Sequence, residues 1–425
     1  MTDVRVCGVA QSLAHVLPQF ARPGFRCIAS IMTIITDTDE LAEFCARQSG
    51  SSFIAVDTEF MRERTYWPIL CLVQIAGPEE AAAIDALAPG IDLAPLLGLM
   101  SEQSTLKVFH AARQDIEIIF NLSGTVPTPI FDTQIAAMVC GFGDAASYET
   151  LVSKLAHASL DKSSRFTDWS RRPLTERQIR YALADVVHLR TVYEELQQRL
   201  SSNGRAGWFA EEMFELSSPD TYRSDPAEAW RRFRLRGRID PRFFAVLRAL
   251  AAWRETAARQ RNLPRGRIMR DEAVLEIAAH MPKTIEALAR TRSLGKGIAE
   301  GKLGSEILDA IRQGLSEVAS LDPPTAIKAE TPPGLGPLIE LLRVLLKARC
   351  EEHEVAQKLL ASAEDLEAIA ADDEAPVRAL SGWRREIFGK DALALKHGRL
   401  ALTVRRKRVN LVELEGDNRD HIETR

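Results

Sequence analysis

Short apolar runs alternate with helical patterns in the first half of the chain. The runs have the length and composition of buried strands and occupy 33–35, 53–56, 70–76, 82–84 and 106–109. Apolar residues recur at helical spacing in 93–100, 115–122 and 175–200, the last with Thr175 as its N-cap. Strands that first follow one another and then alternate with helices predict an α/β fold with a mixed sheet.

The pattern becomes purely helical after residues 217–219. Amphipathic segments lie at 243–258, 271–280, 284–289 and 305–315, with no strand-like run between them. Five prolines between residues 321 and 337 indicate a linker. A second helical block begins at Leu338, and the basic run from Arg405 opens a polar segment that we expect to be disordered.

The length of 425 residues exceeds the usual size of one domain and supports a division into several. Residues 1–31 lack the apolar segment and cleavage site of a typical targeting peptide, and we expect a disordered extension there. The predicted boundaries are 1–31 for the extension, 32–215 for the α/β domain, 216–318 for the first helical domain, 319–337 for the linker, 338–405 for the second helical domain and 406–425 for a polar tail.

Positive charge is concentrated in the first helical domain. The formal net charge of the chain is -4, yet residues 223–270 contain fourteen arginines, no lysine and four acids. Arginines often only keep a helix face soluble, but this excess is larger than such a face needs. We therefore predict that the segment binds the phosphate backbone of a nucleic acid.

Cysteine and hydropathy patterns favour a cytoplasmic protein. The six cysteines are scattered, without a C-x-x-C pair or a histidine at zinc-ligand spacing, so we expect reduced thiols. No apolar run approaches the ~20 residues that a membrane helix needs. The sequence does not determine the oligomeric state, and we take a monomer as the expectation.

Two carboxylates follow the apolar run 53–56. Asp57 and Glu59 stand at i and i+2, so their side chains would share one face of a strand. The run is apolar throughout, as in a central strand buried on both faces. Carboxylates at such a place need a metal ion or cationic groups as compensation. A single D-x-E pair is nevertheless a weak signal, because most such pairs are solvated.

Three more residues complete a candidate catalytic set. Asp115 falls in the first turn of a predicted helix, where an acid often only complements the helix dipole. Tyr181 and Asp185 are four residues apart on a helix and therefore share a face. Phosphodiester hydrolysis needs an activated water and a stabilised 3′-oxygen, which two divalent ions about 4 Å apart supply. Carboxylates suit two ions of Mg²⁺ or Mn²⁺, and we predict this cofactor.

The same residues resemble the exonuclease motifs of the DEDD superfamily. The motifs are Asp57-Thr58-Glu59-Phe60, His110-Ala111-x-x-x-Asp115 and Tyr181-x-x-x-Asp185. The chain also resembles bacterial ribonuclease D in Phe60-x-Arg62-Glu63-x-Thr65-Tyr66, Leu70-Cys71-Leu72-Val73-Gln74 and Phe131-Asp132-Thr133-Gln134-Ile135-Ala136-Ala137. Leu250-x-x-Trp253-Arg254 with Pro264-Arg265 is similar to the helicase-and-RNase-D C-terminal (HRDC) domain, and 382–389 fits a diverged second copy.

This resemblance implies a ribonuclease-H-like α/β exonuclease domain with a mixed sheet, followed by two all-α helical-bundle domains. It implies 3′→5′ trimming of tRNA precursors and other small structured RNAs, with release of nucleoside 5′-monophosphates. The implied metal ligands are Asp57, Glu59, Asp115 and Asp185. Tyr181 would hold or help activate the attacking water. The superfamily that the chain resembles has a histidine subtype and a tyrosine subtype. The histidine subtype has its histidine five residues before the last acid. That position is Arg180 here, which indicates the tyrosine subtype.

The expected RNA contacts lie in both domains, at Phe60, Arg62, Arg231, Arg232, Arg234, Arg236, Arg265 and Arg267. All catalytic-type residues precede residue 200, so we expect the chain to keep activity on short RNA when everything from Arg223 onward is removed.

Two alternative functions stay open. A DNA-directed 3′→5′ exonuclease would have the same metal core. A non-catalytic nucleic-acid-binding module would have kept the fold without the activity. The presence of all five catalytic-type residues argues against the second alternative.

Overall fold

The computed structural model describes residues 33–161, 164, 167–235, 238–321 and 334–414. The expectations for residues 1–31, for most of the linker, for Arg236 and for the end of the tail lie outside the described residues. No described helix is long and apolar enough to cross a membrane.

Six strands form one mixed sheet in the first half of the chain. They are β1 (Thr33–Ile35), β2 (Phe53–Met61), β3 (Ile69–Ala76), β4 (Ala81–Asp85), β5 (Leu106–Phe109) and β6 (Ile130–Asp132). Their order is β1-β4-β3-β2-β5-β6, with β3 antiparallel to both of its neighbours and the other pairs parallel. The predicted mixed sheet is confirmed, and β6 is an additional strand too short to show a pattern.

Strand β2 is longer than its apolar run predicts. It continues through Asp57 and Glu59 to Met61, because β3 pairs with it along this whole stretch. A bulge between Glu59 and Phe60 interrupts the register. The two carboxylates therefore lie within a central strand and not at its end.

Helices cover both faces of the sheet. They are α1 (Thr38–Gln48), α2 (Ala94–Ser101), α3 (Arg113–Ser123), α4 (Thr133–Val139), α5 (Tyr148–Leu151), α6 (Glu176–Ser202) and α7 (Ala206–Ser217). Thr175 caps α6 as predicted, and its hydroxyl accepts a hydrogen bond from the backbone N–H of Gln178. Successive residues of β2 point to opposite cores: Ala55 packs on the side of α4 and α6, whereas Ile54 and Val56 pack on the side of α1, α2 and α3.

The first helical domain has a core of its own. Its helices are α8 (Pro241–Arg261), α9 (Arg265–Ile268), α10 (Asp271–His280), α11 (Ile285–Leu288), α12 (Lys296–Ala299) and α13 (Lys302–Ser316). Trp230, Leu250, Ile277 and Ile307 belong to one buried cluster whose described members all come from this domain. This main core is formed by the domain itself, and a smaller cluster of Ala257, Ala258 and Ile268 packs against Tyr66 of the α/β domain.

The second helical region ends in a β-hairpin. Its elements are α14 (Gly336–Glu352), α15 (Gln357–Leu360), α16 (Ala363–Ala371), α17 (Gly382–Arg384), α18 (Lys390–Lys396), β7 (Leu400–Arg405) and β8 (Arg408–Glu413). The prediction of a purely helical block is wrong for residues 400–405, which form β7, and the prediction of disorder is wrong for residues 406–413, which form the turn and β8. Leu400, Leu402 and Leu411 pack against the helices, and the basic residues between the strands hid the turn because they replace its usual Asn-Gly signal.

The second helical region shares a core with the α/β domain. One continuous buried cluster contains Ala55 and Val186 of the α/β domain and Leu342 and Phe388 of the helical region. The indole of Trp208 on α7 stacks on that of Trp383 on α17, with ring centroids 4.5 Å apart. The region predicted as a separate domain at 338–405 is therefore packed as part of the α/β domain.

A buried ion pair crosses the same interface. Arg384 donates to the carboxylate of Glu212 on α7, and the two side chains are 4% and 6% exposed. Arg378 donates to the same carboxylate at 2.9 Å. The backbone N–H of Ala356 donates to the carbonyl of Met138 at 3.0 Å.

The first helical domain contacts the α/β domain through a set of polar groups that we call the Tyr66 network. The hydroxyl of Tyr66, in the loop after β2, donates to Glu255 of α8 and accepts from Arg259 and Arg265 at 3.0 Å each. The backbone N–H groups of Tyr66 and of the following residue donate to the side-chain oxygen of Asn262 at 3.1 Å. Burial alone would raise the pKa of Glu255, but hydrogen bonds from Arg265 and Tyr66 lower it to about 2.

Candidate active site

Three carboxylates converge between the central strand and helix α6. Asp57 and Glu59 lie on the face of β2 that α6 covers, and Asp185 extends from α6. One carboxylate oxygen from each of the three lies within 4.8 Å of the others. The i,i+2 spacing on β2 and the packing of α6 across the sheet together produce this cluster.

The carboxylates carry more negative charge than their surroundings stabilise. Burial raises the pKa of Asp57 to about 6. Burial, followed by repulsion from Asp57, Asp185 and Asp115, raises the pKa of Glu59 to about 9. Burial and repulsion from Asp57 raise the pKa of Asp185 to about 8, although a hydrogen bond with Tyr181 opposes the shift. All of the acids would be ionised at neutral pH if a cation were bound among them.

The fourth predicted acid lies beside this cluster. Asp115 is in the first turn of α3 and accepts a hydrogen bond from the hydroxyl of Thr58, the residue between the two acids of β2. Burial and then repulsion from Asp57 raise the pKa of Asp115 well above its usual value. The loop before α3 is held by Asp132, which accepts from the backbone N–H groups of residues 111 and 112 at 3.0 and 2.8 Å.

Tyr181 lies one helical turn before Asp185, as predicted, and its hydroxyl is hydrogen-bonded to that carboxylate. A cleft of about 390 Å³ opens beside the two residues and is lined in part by Arg177 and Arg180. Arg177 is not among the predicted site residues, although it precedes Tyr181 by four residues on the same helix. That spacing was a signal that could have found it.

Two further polar residues of the site were not predicted. The hydroxyl of Tyr148, on α5, donates to the backbone carbonyl of Asp185. Gln74, on β3, is the cross-strand partner of Asp57 and is fully buried. Within the described part of the chain, neither amide atom of Gln74 has a hydrogen-bond partner. Tyr148 gave no signal in the sequence, because a short helix distant along the chain brings it to the site.

The residues predicted to contact RNA have several environments. Phe60 is partly buried against the core, and Arg62 forms an ion pair with Glu117 of α3. Arg265 is held by Glu255 and Tyr66, so its charge is already paired at the domain contact. The solvent-exposed members of the set are Arg231, Arg232, Arg234 and Arg267.

A mixed sheet with clustered carboxylates on its central strand, and a tyrosine and an acid on the helix across it, defines a 3′→5′ exonuclease. The family model described as 3'-5' exonuclease matches residues 32–201, and the HRDC domain model matches residues 243–311. The predicted fold class and the first HRDC domain are thereby confirmed. The assignment of residues 338–405 to a diverged second copy stays a prediction.

Comparison over the whole chain gives a narrower family. The proteins named Ribonuclease D from Nitrobacter hamburgensis and Granulibacter bethesdensis are 51% and 50% identical to this chain. The matches cover 90% and 89% of this chain and 100% and 96% of those proteins. The chain belongs to the ribonuclease D family and is a 3′→5′ exoribonuclease.

Solved structures agree with this assignment. Escherichia coli RNase D, described as an exoribonuclease involved in structured RNA processing, is 30% identical with a TM-score of 0.73, and the match covers 86% of this chain and 98% of that one. The catalytic core of RRP6 from Trypanosoma brucei is 21% identical with a TM-score of 0.52, and the match covers 71% and 84% of the two chains. The similarity to RRP6 shows that the two proteins have a common fold.

Proposed function

We propose that the chain uses two divalent metal ions, Mg²⁺ or Mn²⁺, to trim the 3′ ends of tRNA precursors and other small structured RNAs. The observation that carries this proposal is the convergence of Asp57, Glu59 and Asp185 within 4.8 Å beside Tyr181. The described role of the E. coli relative in structured RNA processing supports substrates of this kind.

The donor set fits hard divalent cations. Buried carboxylates with raised pKa values need positive charge to stay ionised, and Mg²⁺ and Mn²⁺ prefer oxygen ligands. The side-chain amide of Gln74, opposite Asp57 on the next strand, has no hydrogen-bond partner among the described residues. Water molecules at a hydrated metal site would supply such partners. The residues that would hold the ions are Asp57, Glu59, Asp115 and Asp185.

The chemistry follows from these positions. Divalent ions held by these carboxylates would supply Lewis-acid polarisation of the scissile phosphate, activation of the attacking water and stabilisation of the leaving 3′-oxygen. The hydroxyl of Tyr181, beside Asp185, orients the water for attack on phosphorus. The water oxygen forms a bond to phosphorus, the bond between phosphorus and the 3′-oxygen of the preceding nucleotide breaks, and the leaving oxygen takes up a proton. The products are a nucleoside 5′-monophosphate and an RNA with a new 3′-hydroxyl.

Positive groups extend the contact with RNA beyond the reacting phosphate. Arg177 and Arg180 line the cleft beside Tyr181, where they would contact phosphates of the 3′-terminal nucleotides. The exposed arginines of the first helical domain would contact the backbone farther from the 3′ end. We place the enzyme in the cytoplasm as a monomer, and the free, buried thiols of Cys45 and Cys71 are consistent with a reducing compartment.

The test is hydrolysis of a 3′-extended tRNA and of a matched single-stranded DNA with Mg²⁺, with Mn²⁺ and with a chelator. We expect metal-dependent release of nucleoside 5′-monophosphates from the RNA. Faster hydrolysis of DNA would indicate a DNA-directed exonuclease. Binding of RNA without hydrolysis under every metal condition would indicate a non-catalytic module.

A further inference from the structure

The β7–β8 hairpin carries a concentration of positive charge that the catalytic site does not use. Residues 399–414 contain five basic residues and one acid, Glu413. Four of the five are consecutive and form the tip of the hairpin: Arg405, Arg406, Lys407 and Arg408. Their side chains are exposed, and none of them forms an ion pair with another residue that the structure describes.

The turn itself is built from residues that do not favour it. Arg406 and Lys407 have φ values of 52° and 65°, and the pair Arg405–Arg408 closes the two-residue turn between them. A turn with two positive φ values is normally made by Asn-Gly, because backbone strain at each such position lowers the stability by about 1 kcal/mol for residues such as Arg and Lys. The exposed side chains form no ion pair with a described residue that would offset this strain, so a role in binding explains their presence better.

The hairpin is also fixed to the catalytic unit. Leu400, Leu402 and Leu411 at its base belong to, or pack against, the core that the second helical region shares with the α/β domain. This packing therefore fixes the position of the basic tip relative to the catalytic unit. The partner of the tip has to be polyanionic, because four neighbouring cations repel one another until anions lie between them.

We propose that the tip of the β7–β8 hairpin binds the phosphate backbone of the structured part of the substrate RNA, away from the 3′ end in the catalytic cleft. This proposal rests on the proposed function, which supplies the polyanion. Contacts to the backbone favour RNA without regard to its sequence and weaken steeply with salt. The competing explanation is that the charges only keep the exposed strand edges from associating with other sheets.

The test is the double substitution Arg406→Asn and Lys407→Gly, which installs the favoured turn and removes two charges. The melting temperature should stay the same or rise, because the turn strain is relieved. The affinity for a 3′-extended tRNA should fall about threefold to tenfold at low salt, and the slope of log affinity against log salt should become shallower by about 1.4 to 1.8. Hydrolysis of a short single-stranded oligonucleotide should be unchanged.

The matched control is Arg385→Asn with Lys347→Gln, which removes two exposed positive charges of the same region that, like those of the tip, form no ion pair with a described residue. It should leave the tRNA affinity within about twofold of the parent protein, because scattered surface charges act weakly. Equal tRNA affinity and equal salt slopes in the turn variant and the parent would overturn the proposal. So would new self-association of the turn variant with unchanged tRNA binding. Absence of oligonucleotide hydrolysis in the parent protein would instead contradict the proposed function.

Discussion

The two helical regions are attached to the α/β domain in different ways. The first has its own core and contacts the α/β domain chiefly through the polar Tyr66 network. The second contributes Leu342, Trp383 and Phe388 to a core that continues into the α/β domain. The first region is therefore an appended module, whereas the second is part of the folding unit that holds the active site.

This difference changes the expectation for a shortened protein. The sequence alone predicts that removing everything from Arg223 onward leaves an active exonuclease on short RNA, because the catalytic-type residues all precede it. The same cut would expose the apolar residues of α4, α6 and α7 that the second helical region covers, and would remove Arg384 and Arg378, the partners of Glu212. The fragment should therefore aggregate.

The largest effect should follow from Arg384→Met at the shared core. Removing one member of a buried ion pair leaves the other charge uncompensated, which costs about 3 to 5 kcal/mol, although Arg378 retains part of the compensation for Glu212. Exonuclease activity at 37 °C should fall with the folded fraction. Chemical denaturation followed by tryptophan fluorescence measures the loss.

The double substitution Glu212→Leu with Arg384→Met is the control for that prediction. It replaces both charges by apolar groups and should recover most of the stability. Equal stability of the single variant and the parent protein would show that the second region is attached loosely, as the first is.

The second prediction concerns the pH dependence of the metal-free protein. The pKa values of Glu59 and Asp185 are raised to about 9 and about 8, so the folded state binds more protons than the unfolded state above pH 4.5. The stability of the metal-free unit formed by the α/β domain and the second region should therefore fall, by roughly 3 kcal/mol or more, as pH rises from 5 to 9.

Scanning calorimetry at several pH values, with chelator and with Mg²⁺, measures this effect. Mg²⁺ should remove most of the pH dependence, because it compensates the carboxylates. Unfolding of the first helical domain should not follow the same trend. A metal-free protein whose stability rises between pH 5 and 9 would contradict the account of the cluster.

The third prediction is that Glu255→Gln separates the first helical domain from the rest of the protein. The Glu255 side chain is 2% exposed, and its carboxylate is bound by Arg259, Arg265 and Tyr66. Loss of its charge should cost about 2 kcal/mol. Hydrogen exchange should increase in α8 and in the loop of Tyr66 and stay unchanged in the shared core. Increased exchange throughout the shared core would show that the two attachments are not distinct.

The smallest effect is expected for Tyr66→Phe, which removes one hydroxyl from the same network. The stability should fall by about 1 kcal/mol. KM for a 3′-extended tRNA should rise about twofold to fivefold, while kcat on a short oligonucleotide stays the same, because the carboxylate cluster proposed for catalysis is untouched. Asn262→Gly is a matched variant: Asn262 has a φ of 48°, which glycine adopts freely, so that substitution removes the two side-chain bonds to the loop without backbone strain.

The sequence predicted the sheet and the proximity of Asp57, Glu59 and Asp185, because both depend largely on local spacing. Asp57 and Glu59 share a strand face, and Tyr181 and Asp185 share a helix face, whatever surrounds them. It did not predict Gln74 or Tyr148 as neighbours of the acids, because pairing of distant strands and a separate short helix bring them there. The shared core was missed for the same reason: an amphipathic helix shows that it has an apolar face, but not which surface covers that face.

The measurement that tests the central claim most directly is hydrolysis of a 3′-extended tRNA by Asp185→Asn in Mg²⁺, beside the parent protein. The substitution removes one anionic ligand of similar size, and it should lower the rate by about a thousandfold, equivalent to about 4 kcal/mol. The circular dichroism spectrum and the RNA affinity should be retained. A correctly folded variant that releases nucleoside 5′-monophosphates at nearly the parent rate would contradict the assignment of this carboxylate cluster as the catalytic metal site.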